Sequence, residues 1–145
     1  MKEDILNQKL VSHLQERLSG YVKRCILEYP YQPPSEKPLL ILNLFSSDIE
    51  RRFVGQQSGV GVYYYEAFIS TGRTTELELS GQTLIGYKTL CVIRDKLIDA
   101  LRNIPSSLRE IGVVDIKLTS EFDYGYNEAW DLLTKSVRFV VFIQE

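Results

Sequence analysis

The chain has 145 residues, 44% hydrophobic and 25% charged, which fits one soluble globular domain that can bury an ordinary core without disulfide staples. A formal net charge of -2 offers no general basic surface for a nucleic-acid backbone and is too small for an acidic tail. The start Met1-Lys2-Glu3-Asp4 lacks the basic end and apolar run of a signal peptide. No stretch approaches the roughly 20 apolar residues of a membrane span, so synthesis and retention in a reducing cytosol is the expectation.

From Ile5 to Glu28, Leu6, Leu10, Leu14, Leu18, Val22 and Ile26 recur every four places, with Val11 and Cys25 widening the stripe. This predicts an amphipathic helix that contains Gly20 and docks on a sheet. Tyr29–Pro38 holds Pro30, Pro33, Pro34 and Pro38 and must end it. Leu39–Phe45 is apolar on both alternating sides and reads as an interior strand entered through proline. Ser46–Gly59 is polar, with Arg51, Arg52, Gly55 and Gly59, and reads as a long exposed loop.

Val60–Ile69 returns to extended structure, with Gly61, Tyr63, Tyr65, Ala67 and Ile69 on one side and Val60, Val62, Tyr64, Glu66 and Phe68 on the other. The pattern does not say which side is buried. Thr71–Gln82 reads as a polar connector, and Leu84–Ile104 as a second amphipathic helix with Leu84, Tyr87, Leu90, Cys91, Leu97, Ile98, Leu101 and Ile104 near one face. Val113–Leu118 is a short strand and Phe122–Glu128 a tyrosine-rich turn. In Thr134–Ile143 the period is two: Val137, Phe139, Val141 and Ile143 form one unbroken apolar side, and Arg138 interrupts the other at Ser136, Val140, Phe142 and Gln144.

These elements predict a single α+β domain over residues 1–145. It is a two-layer sandwich, two helices packed on one face of a mostly antiparallel sheet of about four strands. The other face would carry Val140 and Phe142 with one of the two tyrosine-bearing sides. A half-apolar uncovered face of that kind points to a contact surface.

Chemistry-bearing patterns are few. His13 is the single histidine, and with Glu16 one turn on it falls short of a zinc ligand set, so a solvated or helix-packing role is expected. Cys25 and Cys91 read as free thiols. Gly59-Val60-Gly61 opens a strand rather than a helix, there is no P-loop lysine, and no nucleophile elbow exists. Asp115, Glu121, Asp123, Glu128 and Asp131 gather near the last turn, where a divalent cation could use them, although turns are commonly acidic for solubility alone. The pairs Lys23-Arg24 and Arg51-Arg52 are isolated, so sequence-specific nucleic-acid binding is not expected. No cofactor and no enzymatic activity are expected.

The amphipathic first helix, Lys37-Pro38-Leu39-Leu40-Ile41, Tyr64-Tyr65-Glu66-Ala67-Phe68-Ile69 before a connector and helix, and Ser120-Glu121-Phe122-Asp123-Tyr124 before Ser136-Val137-Arg138-Phe139-Val140-Val141-Phe142 come in that order over nearly the whole chain. In this the chain resembles the tail-terminator family of long-tailed bacteriophages, the lambda-type minor tail proteins and their Mu-like prophage relatives. It departs from them in the longer Ser46–Gly59 insertion. The resemblance implies a hexameric ring on the head-proximal end of the tail tube that stops polymerisation and meets the head–tail connector, assembled in the host cytoplasm and carried in the virion, with no membrane partner. Closing a ring needs a heterologous contact. The expected interface residues are Tyr63, Tyr65, Val140 and Phe142 on the sheet, and Arg51, Arg52 and Phe53 in the loop. Other readings are a head-completion or tube component, a monomeric ligand-binding module with an enclosed pocket, and a metal-dependent nuclease if Asp115, Asp123 and Asp131 converge near Lys117.

Overall fold

A computed structural model describes residues 2–27, 34–50 and 59–144. Its elements are α1 (Lys2–Arg17), β1 (Arg24–Leu27), β2 (Leu39–Glu50), β3 (Val60–Thr71), β4 (Glu76–Leu79), β5 (Gln82–Ile85), α2 (Tyr87–Arg102), α3 (Ser106–Glu110), β6 (Val113–Asn127) and β7 (Leu132–Gln144). Five strands make one sheet in the order β1-β2-β3-β7-β6, and β4 and β5 make a separate two-stranded one. The main sheet is antiparallel except that β1 runs parallel to β2. The expected two-layer α+β sandwich is the observed architecture, with one more strand in its sheet.

Both long helices cover the same sheet face. Leu6, Leu10, Leu14 and Leu18 of α1 and Leu90, Ile93, Leu97 and Leu101 of α2 are buried against Leu40, Leu42, Tyr65, Ala67, Val137, Phe139 and Val141. Each such aliphatic side chain contributes about 1.5–3 kcal/mol by leaving water, so the one face supplies most of the cohesion. Polar ties fix the layers: the buried His13 places Nε2 2.9 Å from the Ala100 carbonyl oxygen, and the Tyr65 hydroxyl donates to Asn7 Oδ1 at 2.5 Å. His13 therefore packs between helices.

The first helix is shorter than its leucine spacing predicts. It ends at Arg17, and Gly20 adopts φ 86, in the left-handed region that suits glycine. The Lys23 N–H then donates to the Pro38 carbonyl at 2.8 Å, which draws Arg24–Leu27 alongside Leu39–Leu42. Val22 and Cys25 remain buried in the same core, so side chains that would share a helix face are buried from a turn and a strand instead.

Three stretches expected as loops or turns are strands. Ser46–Glu50 continues β2 opposite Tyr64–Val60, past a bulge between Leu44 and Ser46. The Thr71–Gln82 connector and Leu84 contribute to a hairpin whose two-residue turn, Ser80 (φ 50) and Gly81 (φ 80), has the left-handed backbone that tight hairpins require. The tyrosine-rich turn is the second half of β6, which pairs with β7 to Asn127 through three register shifts. Each shift flips the alternation of side chains, so no single period of two runs through it.

Candidate functional site

The cross-strand register decides which tyrosines share a face. Tyr65 lies opposite Phe139 and Tyr63 opposite Val141, while Tyr64 lies opposite Val140 and Val62 opposite Phe142. Because the Phe139 side is the helix side, Tyr63 and Tyr65 go with it. The Tyr65 ring stacks on Phe139 at 5.3 Å between centroids and 10° between planes. The expected grouping of Tyr63 and Tyr65 with Val140 and Phe142 is therefore corrected: the first pair is core, and Tyr64 takes its place on the uncovered face. Arg51, Arg52 and Phe53 lie outside the described residues.

The face away from the helices differs from end to end. At one end Leu39, Ile41, Ser70, Leu132 and Thr134 are buried. There Lys37 Nζ donates to the Asp131 backbone oxygen at 3.1 Å and lies 3.7 Å from its carboxylate, holding the chain ahead of β2 against the β6–β7 turn. Beside this tie, Leu132 and Thr134 form the floor of an open pocket walled by Phe68, Tyr124 and Tyr126.

The other end is organised around Glu66. This carboxylate is 5% exposed and points from the middle strand β3. Its Oε2 accepts from the Tyr124 hydroxyl and the Ser136 hydroxyl, each at 2.5 Å, and its Oε1 lies 3.3 Å from Arg138 Nε. That last contact is an ion pair without the alignment of a hydrogen bond. Partial burial, and then the Glu66 carboxylate, push the Tyr124 phenol above its ordinary pKa. A charge in so dry a place requires such partners.

Arg138 carries the cluster outward. Its guanidinium lies 4.6 Å from the Phe122 ring centre and 5.3 Å from that of Phe45, between β6 and β2 across β7 and β3. Phe45 also meets Tyr64, and Tyr124 meets both Phe68 and Phe122. Phe45, Phe122 and Tyr124 are 50%, 40% and 52% exposed. Phe142 is half-buried with Lys117 Nζ 5.6 Å from its ring, and Val140 is covered. An exposed aromatic field around an arginine is the composition that carries binding energy at protein interfaces.

The Glu66 carboxylate accepts two hydroxyl hydrogen bonds on one oxygen and meets the Arg138 guanidinium with the other. Elsewhere, Glu121 pairs with Arg94 at 3.5 Å, Asp123 accepts from the Tyr87 hydroxyl and the Gly125 N–H, and Asp131 accepts from the Tyr126 hydroxyl. Among the described residues no three histidine, cysteine or acidic side chains are grouped as a metal site. The arrangement that a metal-dependent nuclease would need, with Asp115, Asp123 and Asp131 together, does not occur. Cys25 lies in β1 rather than a helix, where burial pushes its thiol to about 12, and Cys91 is a second free thiol. No described helix is long and apolar enough to cross a membrane.

Phe45, Phe122 and Tyr124 were not singled out as site residues by sequence reasoning. Tyr64 and Glu66 stood on one of the two strand sides left open for the uncovered face, and Arg138 left a signal as the interruption in an otherwise apolar strand side. No family model matches the chain, and no curated protein matches it. Among solved structures, the fold is similar to that of a chain in the structure described as "Virion of native gene transfer agent (GTA) particle". The likeness has a TM-score of 0.52 at 12% identity, and covers 91% of this chain and 84% of that one.

Proposed function

We propose that this protein is a structural component of a phage-like particle that acts by contact rather than catalysis, and specifically a tail terminator. In this reading, copies form a hexameric ring on the head-proximal end of the tail tube, end its growth and present a different surface to the head–tail connector. The observation that carries the reading is the exposed Phe45–Arg138–Phe122 array on the open end of the sheet. The likeness in fold to a chain of a gene-transfer-agent virion supports the same direction. A tube grows while each added ring leaves a free face like the one it bound. A subunit that matches the tube through one face and differs on the other ends that growth by shape alone.

The test is tube length, read by electron microscopy of particles from producing cells. Loss of the protein is expected to give tubes of indefinite length, and so is the Phe45→Ala/Phe122→Ala double variant, which keeps its fold because both side chains are exposed. Unchanged tube length without the protein would overturn the reading. A ligand-binding module is favoured by an open pocket of about 420 Å³ lined by Phe68, Tyr124, Tyr126 and Leu132. A saturable small-molecule site abolished by Tyr126→Ala, in a protein that leaves tubes unaffected, would establish that alternative.

A further inference from the structure

The helix layer carries two features at opposite ends of α2 that the sheet face does not explain. Past its C-terminal end, α1, α2 and α3 enclose an open groove of about 670 Å³. Lys9, Arg102 and Arg109 line it, and none of the three has an anionic partner among the described residues. Glu16 is the single acid in the lining, and Arg17, a further cation, is engaged by Asp99 at 3.1 Å. Ile104 and Pro105 add an apolar wall.

At the N-terminal end of α2 stands the β4–β5 hairpin. Its inner side, Leu77 opposite Leu84, packs on the core, and its outer side pairs Glu76 with Ile85 and Glu78 with Thr83. Glu76, Glu78 and Ile85 are exposed, Ile85 by 47%. Glu78 accepts from the Thr83 hydroxyl at 2.6 Å, which holds its carboxylate outward, and Glu76 has no cationic partner among the described residues. At about 1.5 Å of rise per residue, the 16 residues of α2 hold the two features roughly 24 Å apart.

We infer that the outer side of the β4–β5 hairpin of one copy docks in the α1–α2–α3 groove of the next, with Glu76 and Glu78 against Lys9, Arg102 and Arg109 and Ile85 against Ile104 and Pro105. The two patches are opposite in charge, each has an apolar component, and one molecule cannot bring its own pair together. Contacts between unlike patches on opposite ends of a subunit propagate head to tail, and they close into a ring when the rotation allows. Mixed charge also argues for this occupant over a nucleic acid, since Glu16 and the apolar wall suit a polypeptide side better than a run of phosphates. The inference borrows the ring from the preceding reading but does not depend on the tube.

Charge reversal in two variants tests it. Arg102→Glu/Arg109→Glu alters the groove and Glu76→Lys/Glu78→Lys alters the hairpin; all four residues are exposed, so the fold should survive, checked by unchanged melting. Sedimentation of the wild-type chain over a concentration series at low salt is expected to show head-to-tail oligomers that dissociate as salt rises. Each variant alone should associate at least tenfold more weakly. An equimolar mixture should recover association, because every hairpin then meets a groove of opposite sign.

A wild-type chain that stays monomeric at every concentration overturns the inference. So do variants that associate as wild type does, or a mixture without recovery. Binding of a duplex oligonucleotide that the groove variant abolishes, again without recovery in the mixture, replaces it with a nucleic-acid site. If the charge variants still cap tubes at normal length while the Phe45→Ala/Phe122→Ala variant does not, the docking contact fails and the terminator reading stands; the reverse pattern separates them the other way.

Discussion

The two faces of the sheet are made from alternate residues of the same strands, and they do different work. On the helix side, Tyr65 and Phe139 stack at 5.3 Å and are 0% and 1% exposed. On the other side, one register position away, Glu66 and Arg138 pair at 3.3 Å and are ringed by aromatics that remain 40–52% exposed. The first arrangement removes apolar surface from water and so holds the molecule together. The second keeps rings accessible and holds an arginine among them with a buried carboxylate, which is the arrangement the proposed contact role calls for.

Truncating one aromatic on each face should separate these roles most sharply. Phe139→Ala leaves a cavity under both helices and is expected to cost about 3–5 kcal/mol, read as a fall in the urea midpoint. Phe122→Ala removes a ring already 40% exposed and should cost less than about 1 kcal/mol while, under the proposed function, impairing particle assembly. Similar losses of stability from the two changes would show that the outer face is core as well.

The ion pair gives an intermediate effect. Arg138→Met withdraws the cation from a carboxylate that is 5% exposed, and the loss is expected at about 1–2 kcal/mol, smaller than for a fully buried pair because the arginine side chain is itself 40% exposed. Glu66→Gln in the same background should restore most of it, since the remaining amide still has the Tyr124 and Ser136 hydroxyls as partners. A double-mutant cycle in urea measures the coupling, and additive losses would mean that the two charges do not sense each other.

How much could be read beforehand follows the regularity of each segment. Thr134–Ile143 has one unbroken period, and the strand, its buried side and its mixed side were all legible. β6 was not, because shifts at Val113/Asp115, Leu118/Ser120 and Asp123/Gly125 break the alternation, so its second half resembles a polar turn. The open face could be named from Val140 and Phe142. Its centre could not, because Glu66 and Ser136 are 70 residues apart and three consecutive tyrosines fit either side until the partner strand's register is known. The first helix was overread because Leu18, Val22 and Ile26 keep a helical spacing through a turn.

That last difference yields a change whose sign decides. In a helix interior, Gly20→Ala would stabilise by about 1 kcal/mol. In the observed turn, with φ 86 and no atom within 4 Å of a new side chain, the methyl group finds room but the backbone is disfavoured, and a loss of about 1 kcal/mol is expected. Urea unfolding of the variant distinguishes the two, and a gain would restore the longer helix.

The smallest effect lies at the edge where β6 meets the helix layer. Asp123 is held below its ordinary value of 3.8, first by the Gly125 N–H and then by the Tyr87 hydroxyl, with Lys135 adding to both. A carboxylate whose folded pKa is depressed contributes its full stabilisation above the unfolded value and loses it as pH falls through the lower folded one. Asp123→Asn should therefore lower the urea midpoint slightly at pH 7, by less than about 0.5 kcal/mol for so exposed a group. The gap between variant and wild type should close as the pH drops below 3.8. Because the bond runs from α2 to the sheet edge on the helix side, it belongs to cohesion rather than recognition. If the proposed terminator role holds, the same substitution should leave tube length unchanged, and a length defect without a stability change would move this edge from the first face's work to the second's.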